Sequence, residues 1–151
     1  MNIPFEYSMK KLSKDEVKLL LTDLSGRLFY NPIVKIYYII ANEYKEHSLI
    51  ISLHSNTHIL SNIGLNEDSV KELYKIYLRP KSDLTPKELD ELSSLDFENN
   101  PSGIYDYYDE HMIDYRNLIE KGLAEEATEN MKNYWYTRIN ENKTRKNHII
   151  D

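Results

Sequence analysis

The sequence predicts a single α+β domain, a short antiparallel sheet of two or three strands packed with about four helices. Three observations carry that expectation. Ser13-Lys14-Asp15-Glu16 and Thr85-Pro86-Lys87-Glu88 both follow the Ser/Thr-x-x-Glu pattern of a helix capping box. Between them lies a β-branched and aromatic run, Ile33 to Ile40. The chain has 151 residues and no cysteine, the length of one domain. A chain of that size buries roughly 70% of its unfolded surface and needs no disulfide or thiolate-metal staple.

The elements follow in order. Ser13 caps a first helix whose apolar set is Val17, Leu20, Leu21 and Leu24, with Leu12 and Val17 at the staple positions. Asp15 and Glu16 sit at the positive end of its dipole, and Gly26 is expected to end it. Pro32 bounds the strand 33–40, Asn42 to His47 reads as a turn, and Leu49 to Leu53 reads as a second strand returning antiparallel. His58 to Ile63 reads as a third. Val70, Leu73, Tyr74 and Tyr77 have helical spacing, so a second helix is expected from about Asn66 to Pro80. Thr85 opens a short third helix, with Pro86 at its first position and Leu84 and Leu89 as staple, ending near Leu95. Ser102 is expected to cap a fourth, through about Tyr115. Arg116 to Ala127 continues helical with a break at Gly122, and Met131 to Tyr136 packs back on the body. The domain is read as 1–139, with a polar, basic, frayed tail at 140–151.

Composition narrows the function classes. The amino-terminal residues lack the basic start and apolar run of a signal peptide, and Ile36 to Ala41 is the longest apolar stretch, too short to span a bilayer. A cytoplasmic protein with no membrane partner is the expectation. Net charge is −6, unevenly spread: residues 83–129 hold 14 acidic and 3 basic side chains. This acidic half disfavours nucleic acid and suits a basic protein surface. Thirteen tyrosines stand against 3 Phe and 1 Trp, and AT-rich codons enrich Tyr, Asn, Ile and Lys without any functional pressure.

Two segments carry a resemblance. One is Tyr77-Leu78-Arg79-Pro80-Lys81-Ser82-Asp83-Leu84-Thr85, followed by Pro86-Lys87-Glu88. The other runs from Asp114-Tyr115-Arg116-Asn117-Leu118-Ile119-Glu120-Lys121-Gly122-Leu123 to Ala127. They resemble small uncharacterised proteins of phages and mobile elements from gut Bacteroidales, which carry YLRPMSSMT and then DYRGLIEKGLALEAP in the same order and spacing, over most of the chain. Here Lys81 and Leu84 replace methionines, Asn117 replaces Gly, and Thr128 stands where Pro would follow. The resemblance implies an origin and no catalytic residue. Read as chemistry, Leu-Arg-Pro ahead of a helix cap is a joint, and so is the stretch before Gly122. Arg79 and Arg116 are candidate anion anchors within them.

The remaining constellations point weakly to chemistry. His54 and His58 flank a turn and lack a third metal ligand. Glu110 and Asp114 share a helix face with His111 beside them, but nothing matches that set on a second helix. No nucleophile elbow, phosphate loop or dinucleotide fingerprint is present, and the four glycines are scattered. Neither cofactor nor metal is expected. The aromatic cluster of Tyr105, Tyr107, Tyr108, Tyr134 and Trp135, with Tyr136, is the best binding feature, because such rings give contact area at low entropic cost. The expectation is a non-enzymatic accessory protein of a phage or mobile element that binds a host protein through a basic surface, as a counter-defence inhibitor would. A nucleotide-sequestering or other small-ligand module and an enzyme of unrecognised type are the alternatives. Oligomeric state stays open, since the strand 33–40 suits pairing across a homodimer or cover by a helix equally.

Overall fold

The computed structural model describes residues 12–41, 43–51, 72–95 and 98–150. The fold is α+β. Four α-helices are described: α1 (Lys14–Arg27), α2 (Pro86–Ser93), α3 (Pro101–Glu110) and α4 (Glu129–Ile150). They accompany a mixed sheet of β1 (Ile33–Ile40), β2 (Glu43–Ile50), β3 (Glu72–Leu78) and β4 (Ala124–Glu126), in the order β2-β1-β3-β4. β1 runs antiparallel to both β2 and β3, and β4 lies parallel to β3. The sheet is therefore larger than the two or three antiparallel strands expected, by one parallel edge strand.

Both capping boxes form. The Glu16 amide donates to Ser13 Oγ at 3.1 Å and the Ser13 amide donates to Glu16 Oε1 at 2.9 Å. The Glu88 amide donates to Thr85 Oγ1 at 3.1 Å, and the Thr85 amide donates to Glu88 Oε1 at 3.0 Å. Leu12 packs on the core beside Val17, but Leu89 stays 54% exposed, so the second staple is not closed. α1 does not end at Gly26. It continues one residue to Arg27, and a Cβ at position 26 would sit 3.3 Å from Asp109 Oδ2. The glycine serves close approach rather than termination.

The largest correction is at 72–78, where the expected helix is a central strand. Tyr74, Ile76 and Leu78 bury one face in register with β1, and Tyr77 is buried on the other. A strand covered on both sides reads as a near-continuous apolar run, and such a run also satisfies helical spacing. β2 is likewise displaced from 49–53 to 43–50. Its polar start is tolerated because it is an outer strand of the described sheet, exposed along 45–50. Ile40 pairs with Glu43, and Ala41 after it has φ 52°. β1 is hydrogen-bonded on both sides, so it is not the strand free for pairing across a homodimer. The expected strand at 58–63, with His54 and His58, lies outside the described residues.

Further along, α3 begins at Pro101 rather than at a Ser102 cap, and stops at Glu110, with Met112 in the left-handed region at φ 58°. Residues 116–127 form turns and β4, not a helix. Asp114 accepts from the amides of Leu118 (2.8 Å) and Ile119 (3.0 Å), and Asn117 (φ 60°) and Gly122 (φ 77°) reverse the chain. Asn is the side chain best suited to the left-handed conformation after glycine. α4 lays Met131, Tyr134, Trp135 and Ile139 against the body at helical spacing, and the Trp135 indole N–H donates to the Asn31 carbonyl at 3.1 Å. The helix then runs on through 140–150. The main core joins Val17, Leu20 and Leu24 of α1 to Val34, Ile36, Tyr74, Ile76 and Leu78 of the sheet, with Met112, Leu118 and Trp135. No helix of the described residues is long and apolar enough to cross a membrane.

Candidate functional site

Two buried arginines organise the end of the sheet. Arg79 follows directly on β3 and is 1% exposed. Pro80, a 3-10 turn at Lys81–Asp83 and the Thr85 cap return the chain, so that Glu88, nine residues on, faces the guanidinium. Nη1 and Nη2 of Arg79 donate to Glu88 Oε2 and Oε1 at 2.8 and 2.6 Å, and Nε donates to Asp83 Oδ2 at 2.8 Å. The Asp83 and His111 carbonyls accept the remaining N–H groups at 3.0 and 3.2 Å. All five donors are thus spent within the chain. Burial pushes the Glu88 carboxyl up, but hydrogen bonds from Arg79, His111 and the Thr85 amide prevail and hold it well below the usual carboxylate range. Asp83 moves down in the same way, against burial, through Arg79 and Lys132.

The second arginine, Arg27 at the end of α1, is fully buried. It forks onto Asp23 (2.9 and 3.0 Å) and donates to the carbonyls of Tyr108 (3.1 Å) and Ile113 (2.8 Å). Arg116 closes on the same Asp23 from the other side, Nη1 to Oδ1 at 2.6 Å. Nearby, the Tyr115 hydroxyl donates to Asp109 Oδ1 at 3.0 Å. Burial raises Asp109 despite the adjacent Arg27, and burial with the Asp109 charge pushes Tyr115 up to about 12.

These clamps place the expected binding residues in two groups. Tyr115 gathers the first: its ring lies 5.4 Å from Tyr105, 5.5 Å from Tyr108 and 4.4 Å from the Arg116 guanidinium carbon. The Glu88–His111 pair gathers the second. Tyr107 stacks on His111 at 4.0 Å and 12°, and its hydroxyl donates to Glu91 Oε1 at 3.1 Å, while Arg79 sits behind under the Tyr136 ring at 5.2 Å. Trp135 is core, and Tyr134 is half-buried with Arg138 over its ring at 5.8 Å. Asp114 turns away to cap the following turn, whereas Glu110 comes within 3.6 Å of His111. Among the described residues no group of three or more His, Asp or Glu side chains could hold a metal ion.

Sequence reasoning missed the face beside α3. Phe29 is 77% exposed on the 3-10 turn Leu28–Tyr30, and Tyr105 is 45% exposed on α3. Asp106, Asp109 and Glu110 share one side of α3 by helical spacing, with Asp109 buried. Burial raises the Tyr30 hydroxyl pKa first, and the charges of Glu110, Asp106 and Asp109 add to the rise. A shallow cleft opens here, lined by Phe29, Tyr30, Glu110, Trp135, Arg138 and Asn142. Phe29 follows a helix end and precedes Pro32, so no periodicity singles it out. Comparison with family models, with curated proteins and with solved structures gives no match.

Proposed function

We propose that this chain is a non-enzymatic accessory protein of a phage or mobile element, and that it binds a host protein with a basic surface through the face formed by Phe29, Tyr30 and α3. One observation carries the reading: Phe29 and Tyr105 are exposed aromatic rings, and the carboxylates of Glu110 and Asp106 lie close enough to Tyr30, beside Phe29, to help raise its hydroxyl pKa. Large rings ringed by like charge are what a hot spot with electrostatic steering requires. The buried arginines support it from the other side, because their donors are committed to the chain's own carboxylates and carbonyls. A counter-defence role by occlusion of a basic host surface follows from the same chemistry. The test is affinity capture from host lysate with wild type and with a Phe29→Ala/Tyr105→Ala double variant. We expect a partner that wild type retains at low salt, releases at high salt, and that the double variant does not retain. A partner held equally by both, or no salt-sensitive partner, overturns the reading.

A further inference from the structure

The arginines around α3 differ in how many of their donors the chain consumes. Arg79 spends all five N–H groups internally and Arg27 spends four. Arg116 makes a single hydrogen bond, Nη1 to Asp23 Oδ1 at 2.6 Å, and its side chain is 24% exposed. It is nevertheless held in place. The Tyr115 ring lies 4.4 Å from its guanidinium carbon, and Tyr115 is itself pinned through its hydroxyl to Asp109 at 3.0 Å. Among the described residues no acceptor takes the Nε–Nη2 edge of Arg116. That edge presents two parallel N–H groups, spaced for the two oxygens of one carboxylate.

The same Tyr115 ring also carries Tyr105 at 5.4 Å, the 45% exposed tyrosine of the face proposed above, and Asp106 is the next residue along α3. A fixed cation with an open fork therefore stands beside the exposed ring of an acidic face. Resting on the function proposed above, we infer that Arg116 is a specificity-determining residue of that face, taking one aspartate or glutamate carboxylate of an otherwise basic partner surface. A guanidinium already stacked and bonded loses little freedom when the carboxylate arrives. A charge pair of opposite sense within an acidic face fixes register, and a uniformly basic competitor sets a like charge against Arg116. A phosphate dianion suits the place less, because the carboxylates of Asp23 and Asp109 are held in the same cluster.

The experiment titrates the full chain with short lysine-rich peptides in which each position in turn carries glutamate or glutamine. Steering by net charge alone favours the glutamine member of every pair, which is the more positive. We expect the reverse at one position at least, where glutamate binds tighter by about threefold or more, and we expect that preference to vanish in Arg116→Gln and Arg116→Lys. The lysine variant keeps a charge opposite Asp23 and loses the fork, so it separates reading of a carboxylate from support of the fold. In a nitrogen-15 spectrum the glutamate peptide should move the Arg116 Nε resonance and its glutamine twin should not. A set in which glutamate never wins, or a preference that survives in Arg116→Gln, overturns the inference. The broader face still stands in that case where Phe29→Ala/Tyr105→Ala loses the peptides. Peptides that wild type does not bind, or that the double variant binds equally, overturn both.

Discussion

Glu88 shows how much one side chain can hold. It closes the capping box of α2, forks onto Arg79 and lies 2.7 Å from His111 Nδ1. Its depressed pKa and that of Asp83 make acid sensitivity a consequence. A carboxyl whose folded pKa lies below its unfolded value, about 4, stabilises fully above that value and loses the contribution as pH falls toward the folded one. Asp109, raised by burial, works in the opposite sense. Removing Arg79 leaves Glu88 buried beside a vacancy. We expect Arg79→Met to cost about 3–5 kcal/mol in urea unfolding, because an uncompensated buried charge is worse than no pair at all. The same variant should show a flatter fall in stability from about pH 5 to about pH 3 than wild type. A loss under about 1 kcal/mol would show that the clamp is replaceable.

Among the elements, those with chemical punctuation were legible in the sequence and those defined by pairing were not. The starts of α1 and α2 follow from local Ser/Thr–Glu geometry, which needs no partner. β3 is a strand only because β1 and β4 lie on either side, and its apolar pattern alone fits a helix equally well. β4 has three residues, too short for any period to register. The turn at 114–118 is intermediate: its Asp114 cap and left-handed Asn117 are visible as residue types but ambiguous with a helix. We expect Asn117→Ala to cost about 1–2 kcal/mol, the penalty for a Cβ-bearing residue at φ 60° that lacks a short polar side chain, and Asn117→Gly to stay within about 0.5 kcal/mol. Chemical denaturation of the three proteins decides it, and equal stability of the alanine and glycine forms would refute the strain argument.

At the scale of the whole molecule, α4 ties the far end of the chain to the sheet. Trp135 is buried in the core and bonds to the carbonyl of Asn31, 104 residues earlier. Trp135→Ala should cost about 3–5 kcal/mol, read from a far-ultraviolet circular-dichroism melt. As the sole tryptophan, Trp135 also makes fluorescence a report on global unfolding in every other variant. The candidate site was half legible at this scale. The acidic half of the chain and the tyrosines of α3 were visible in composition. Phe29 and Tyr30 were not, because they come to α3 only through packing of the α1 end against it. Arg27 and Asp23 were hidden too: an Asp–Arg pair at i, i+4 is an ordinary exposed helix pair until a segment some 80 residues later supplies carbonyls to the guanidinium.

The triple use of Glu88 has a consequence for how this chain can vary. Arg79 and Glu88 meet because Pro80, one 3-10 turn and a threonine cap consume a fixed length of backbone between them. Inserting or deleting one residue there would rotate the carboxylate off the guanidinium and off the imidazole together, while the cap pulled it the other way. The distance along the chain is as much a part of the joint as the two side chains. Length between positions 79 and 88 should therefore be the least negotiable interval in the protein, whatever happens to the residues within it.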